Sequence, residues 1–82
     1  NPTTKIRFDV PSGFPIKTFG NGKVVLKVYD IMGREVQLLV NERLQPGTYE
    51  VTFDGSGLNS GIYFYQMTAG GYTETKRMIL LK

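Results

Sequence analysis

Residues 44–67 read LQPGTYEVTFDGSGLNSGIYFYQM, and this stretch decides the fold. It carries one pattern twice. Leu44-x-x-Gly47-x-Tyr49-x-Val51-x-Phe53 is followed, fourteen residues on, by Leu58-x-x-Gly61-x-Tyr63-x-Tyr65-x-Met67. After each Gly the apolar residues recur at every second position, the period of a strand with one buried face. Each copy sets a Tyr at the start of its strand. There the hydroxyl can turn back onto the preceding loop backbone, as the tyrosine corner does in immunoglobulin-like sandwiches. Two copies are too few to stack as a solenoid, so the echo is expected to mark two similar strand starts.

Outward from this stretch the same period continues. Residues 5–10 alternate, with Ile6, Phe8 and Val10 on one side and Lys5, Arg7 and Asp9 on the other, and Pro11 stops the strand. Residues 11–22 hold two Pro, three Gly and an Asn and read as a loop, whose Phe14, Ile16 and Phe19 could lie across the core. Residues 23–30 alternate again, with Val24, Leu26 and Val28 on one face. The opposite face is apolar enough at Val25 and Tyr29 for the strand to be covered on most of both sides. Asp30-Ile31-Met32-Gly33 puts a side-chain acceptor at the start of a turn and a Gly where positive φ is needed, so it should close a tight hairpin with a bulge. The returning strand is expected over 35–40. Gln45-Pro46-Gly47 turns the chain into a strand over 48–54, with Tyr49, Val51 and Phe53 facing in. A loop covers 54–61. Residues 62–69 and 72–81 then form a hairpin around Gly70-Gly71. Six strands, or seven if the long loop contributes one, predict an all-β fold: a small antiparallel sandwich, immunoglobulin-like or fibronectin III-like.

Composition narrows the function. The 82 residues include no Cys, His or Trp. There is thus no thiol nucleophile, no imidazole base, no disulfide framework and no zinc site of the usual nitrogen and sulfur kind. A hydrophobic share of 40% with 21% charge is that of a globular chain, expected to form a single domain over 1–82. Its core is thin, roughly 60% of the unfolded surface being buried at this size, so packing alone must hold it. The net charge of +3 is spread along the chain instead of forming a basic block, which argues against a polyanion partner. No apolar run is long enough to span a membrane as a helix. The opening Asn1-Pro2, with no initiator Met or signal peptide, suggests a piece of a longer protein.

Candidate chemistry is sparse. Residues 19–23 look superficially like a phosphate loop, but a Walker A pattern needs Gly at the position of Lys17 and Ser or Thr at that of Val24. The oxygen-rich 54–57 contains one carboxylate, short of the six to eight oxygens that Ca²⁺ takes. No metal or other cofactor is expected. The carboxylates Asp9, Asp30, Glu35, Glu42, Glu50, Asp54 and Glu74 nearly all fall at outward strand positions or in turns, which argues against an acid and base pair. Glu50 and Glu74 are better suited to neutralising cross-strand Lys or Arg. Ile62-Tyr63-Phe64-Tyr65 beside Lys76-Arg77 resembles a nucleic-acid stacking platform, but Tyr63 and Tyr65 belong to the core face and no wider cation cluster surrounds them. Neither catalysis nor nucleic-acid binding is expected.

The last strand carries the most unusual signal. Met78-Ile79-Leu80-Leu81 is apolar on both faces, between Lys76-Arg77 and Lys82. Either the core and loop residues such as Phe14 or Phe19 bury both sides, or an edge or face is offered to a partner protein. Ile31-Met32 at a turn tip poses the same choice. The pattern supports both readings equally.

Four stretches resemble one family. Residues 1–8 (NPTTKIRF), 27–36 (KVYDIMGREV), Leu58-x-x-Gly61-Ile62-Tyr63-Phe64-Tyr65 and the terminal 76–82 (KRMILLK) are similar, in order, to the type A C-terminal sorting domain of the type IX secretion system of Bacteroidota. The resemblance implies an immunoglobulin-like sandwich at the C-terminus of a secreted protein with a catalytic or adhesive domain ahead of it. It implies carriage of the parent through the periplasm and across the outer membrane to the medium or cell surface. The implied partners are the outer-membrane translocon, its shuttle proteins and a sortase-like signal peptidase. It places recognition on Gly61, Tyr63, Lys76, Arg77, Met78, Ile79, Leu80, Leu81 and Lys82, and a structural hairpin motif on Asp30, Gly33 and Arg34. Residues 11–22 are longer than the connection expected between the first two strands of that family. The competing expectation is an accessory immunoglobulin-like module that spaces, stabilises or weakly binds glycan for a secreted enzyme.

Overall fold

A computed structural model describes residues 3–11 and 23–81. The expectations that rest on 12–22, among them the packing of Phe14, Ile16 and Phe19 and the seventh strand, lie outside the described residues, as do Asn1, Pro2 and Lys82. Six strands follow in chain order: β1 (Thr3–Val10), β2 (Lys23–Asp30), β3 (Glu35–Arg43), β4 (Gly47–Asp54), β5 (Gly61–Ala69) and β6 (Tyr72–Leu80). The described residues contain no helix.

The strands make two antiparallel sheets, one ordered β1-β4 and the other β3-β2-β5-β6. The alternation along each strand sets which face turns inward, because a one-residue slip would reverse every side chain. From the small sheet, Ile6, Phe8 and Val10 of β1 and Phe53 of β4 point into the sandwich. From the large sheet come Val24, Leu26 and Val28, with Val40, Tyr63, Met67, Ala69 and Leu80. Phe8 and Tyr49 stand opposite each other in the β1 and β4 register and stack, with ring centroids 5.6 Å apart. Such a pair adds about 0.5 to 1.5 kcal/mol beyond its buried area. As expected of β2, Val25, Lys27 and Tyr29 on its outer side are half-buried, since the strand is flanked by β3 and β5.

Two boundaries differ from the sequence expectation by more than one residue, while β4 and β5 start, and β6 ends, one residue earlier than expected. β3 runs on to Arg43, three residues past Val40, because its backbone stays paired with β2 as far as Lys23 even though Asn41, Glu42 and Arg43 are polar and exposed. β1 begins at Thr3, paired with Asp54, before its alternation becomes visible. Hydrogen bonding to a neighbour, which leaves no mark on side-chain pattern, extends both strands. The expected tight turn is present, with Gly33 at positive φ, and within the strands the β2 and β3 register shifts between Leu26 and Lys27 and again between Val28 and Tyr29.

Candidate functional site

The β2–β3 hairpin is organised by one carboxylate. Asp30 Oδ1 accepts the backbone N–H groups of Met32 (2.9 Å) and Arg34 (3.0 Å), and Oδ2 accepts Arg34 Nε at 2.9 Å. The Arg34 backbone N–H is the largest influence holding the Asp30 carboxyl below its ordinary value. Desolvation opposes it, and the Met32 N–H and the Arg34 guanidinium add to it. Gly33 has φ +85, in the region that side chains avoid, and its N–H donates to the Asp30 carbonyl. Asp30, Gly33 and Arg34 thus hold the turn, and Ile31 and Met32 are left exposed at its tip.

Tyr63 is a core residue with a structural bond. Its ring is buried, and its hydroxyl donates to the Asn59 carbonyl at 2.7 Å. Gly61, two residues earlier, has φ +154, which lets the loop turn sharply into β5. The first loop of the repeat behaves in the same way, with Gly47 at φ +149 and Tyr49 donating to the Gln45 carbonyl at 2.6 Å.

Among the described residues β6 is an edge strand, hydrogen-bonded to β5 on one side. Its alternation divides the terminal segment. Met78 and Leu80 turn inward, Leu80 to 3% exposure, while Ile79 is 63% and Leu81 77% exposed. Leu80 also receives Gly55 of the β4–β5 loop, where an added Cβ would stand 2.7 Å from a Leu80 methyl. Lys76 lies 3.9 Å from Glu74, and its side chain is more than half exposed. Lys82 is outside the described residues.

The outward residues join into a surface. In register, Ile79 stands opposite Ile62, itself 41% exposed, and Arg77 stands opposite Phe64, which stands opposite Tyr29. The turn tip shares a hollow of about 260 Å³ with Ile62, lined also by Ile31 and Met32. One end of the large sheet therefore presents an apolar patch bordered by Arg77. The structure brings together Arg77 and Ile79 from the sequence-derived set, with Leu81 following at the strand's end. Gly61, Tyr63, Met78 and Leu80 serve the interior. Ile62 joins the patch unannounced. Its signal was the parity of β5: with Tyr63, Tyr65 and Met67 facing in, Ile62 and Phe64 must face out.

Among the described residues no polar or charged side chain is buried, and no cluster of three or more acidic residues is placed to hold a metal. No helix there is long and apolar enough to cross a membrane. Residues 1–81 match the family model described as the secretion system C-terminal sorting domain. No curated protein and no solved structure matches the chain.

Proposed function

The chain belongs to the secretion system C-terminal sorting domain family, and on that premise we propose that the outward side of β6 is the part of this sorting signal that its receptors read. The domain is a type IX secretion sorting signal and not a member of a catalytic family, and the protein that carries it is secreted or associated with the cell surface.

The observation that carries the proposal is the exposure, among the described residues, of Ile79 on the edge strand β6 and of Leu81 just past its end, beside Ile62. Proteins that need only to stay soluble blunt such edges with charges, bulges or covering loops. An apolar patch left open at a sheet end marks an interaction surface. Arg77, on the same face, sets orientation by charge, and Lys76 lies beside it on the inward side of the strand. Gly61 and Tyr63 contribute indirectly, by fixing β5 and so the position of Ile62 and of the β6 backbone. The receptors that fit this role are the outer-membrane translocon and its shuttle proteins, met in the periplasm by one folded docking module. A sortase-like peptidase would act afterwards.

The test is export of a fluorescent reporter fused to residues 1–82 in a bacterium that has the system. Replacing Ile79 and Leu81 together by Ser should trap the reporter in the periplasm while the purified domain keeps its melting temperature to within a few degrees. Export at the original level from the folded double variant would overturn the reading.

A further inference from the structure

The two sheets leave a second feature that the docking surface does not use. β1 pairs with β4 on one side, and β6 pairs with β5 on one side. Between β1 and β6 runs a groove of about 350 Å³, lined along β1 by every residue from Thr4 to Asp9 and along β6 by Lys76, Arg77 and Met78. Among the described residues no strand pairs with the second edge of either. Edges of this kind present rows of backbone donors and acceptors to whatever enters.

The groove is basic. Lys5, Arg7, Lys76 and Arg77 line it against a single carboxylate, Asp9, which already accepts the Thr48 hydroxyl at 2.7 Å. Lys76 is 3.9 Å from Glu74, beyond hydrogen-bond length, and Arg7 stands across the register from Glu50. Phe8, Tyr65 and Met78 supply an apolar floor. At about 350 Å³ it falls at the small end of specific ligand sites.

We infer that this groove binds an extended peptide strand from a partner polypeptide, in which acidic and apolar residues alternate. The strand would lie along the free edge of β1, making the two-stranded sheet three-stranded. Its backbone would pair with the β1 edge, as in strand addition generally. Because successive side chains of a strand point to opposite faces, acidic residues at every second position meet Lys5 and Arg7 on the outward side of β1, and Lys76 and Arg77 add positive charge from the β6 wall of the groove. The intervening apolar residues meet Phe8 and Met78. Charge selects the occupant: a basic or neutral strand would leave four cations facing one another across a narrow cleft. A sheet of two strands is also marginal by itself, so a third adds where the fold is least supported.

This inference shares Lys76 and Arg77 with the proposed recognition surface but depends on β1, which that surface does not include. The test uses the 82-residue protein and three synthetic octapeptides: alternating Glu and Val, alternating Lys and Val, and the Glu/Val composition with its order scrambled. Amide chemical shifts are followed by NMR during titration. The alternating Glu/Val peptide should bind, shift the amides of residues 4–9 and 76–78, and weaken with added salt. Replacing Lys5 and Arg7 by Glu should lower its affinity at least tenfold in a protein whose spectrum remains folded. The Ile79 and Leu81 double Ser variant should bind it unchanged, so that loss of export and loss of peptide binding are separate results. Equal binding of the Lys/Val or scrambled peptide, shifts confined to Ile62 and Ile79, or no binding at all would overturn the inference.

Discussion

Tyr49 and Tyr63 make the same bond in different sheets: each hydroxyl donates to the carbonyl four residues upstream, at 2.6 Å to Gln45 and 2.7 Å to Asn59. Each follows a Gly of φ near +150 by two residues. The two corners pin the loops that lead into β4 and β5, and so fix both sheets from the same kind of joint.

Burial separates the two. The Tyr63 bond is partly buried and the Tyr49 bond is exposed. Tyr63→Phe leaves a shielded carbonyl without its donor and should cost about 1 to 3 kcal/mol, whereas Tyr49→Phe, where water can replace the hydroxyl, should cost less than about 1 kcal/mol. Urea denaturation of the two variants measures this. Equal losses would show that the corners carry equal weight.

Gly55 and Leu80 touch across the end of the sandwich. A Cβ on Gly55 would lie 2.7 and 2.9 Å from the two Leu80 methyls. Gly55→Ala should therefore destabilise by about 1 to 3 kcal/mol through overpacking. Leu80→Val, which shortens the obstructing side chain, should cost less in the Gly55→Ala background than in the wild type. A double-mutant cycle with a coupling energy near zero would show that Leu80 moves aside freely.

The parity of β6 gives opposite expectations for adjacent residues. Leu80→Ala removes a buried side chain and should cost about 2 to 5 kcal/mol. Ile79→Ser, on the exposed face, should cost no more than about 1 kcal/mol and yet reduce reporter export. Should Ile79→Ser unfold the domain as Leu80→Ala does, the outward face is covered by packing and is not a docking surface.

Gly33 bears no contact that a methyl group would disturb, since nothing lies within 4 Å of the position its Cβ would take. The cost of Gly33→Ala is then purely conformational, about 1 to 2 kcal/mol for forcing a side chain into the left-handed region. Gly33→Asn should cost less, because Asn tolerates that region. Thermal melts rank the pair, and identical stabilities would contradict the positive φ.

The Asp30 carboxyl titrates below its ordinary value because its charged form accepts the hairpin N–H groups and the Arg34 guanidinium. The stabilisation is thus fully present above the unfolded-state value, near pH 4, and is lost as pH falls through the lower folded value. Asp30→Asn should lower the melting temperature at pH 7, and the gap to the wild type should narrow steadily below about pH 4. A gap independent of pH would assign the effect to shape and not to charge.

Much of this was written locally. Period-two alternation in 23–30, 48–54 and 62–69 placed strands and their inward residues. Asp30 and Gly33 announced their hairpin, and the repeated Gly-x-Tyr announced two corners, because turns and strand faces depend on neighbours within a few positions. The family resemblance through residues 1–8, 27–36, 58–65 and 76–82 identified the sorting signal, and the match over 1–81 bears it out. Local pattern could not say whether Met78-Ile79-Leu80-Leu81 is buried on both sides, because that depends on which strand lies beside β6 and what covers its outer face. Nor could it bring Lys5 and Arg7 of the first strand to Lys76 and Arg77 of the last, or Gly55 to Leu80. Those are meetings of residues distant in the chain, set by strand order and by the stacking of two sheets, and only the tertiary structure decides them.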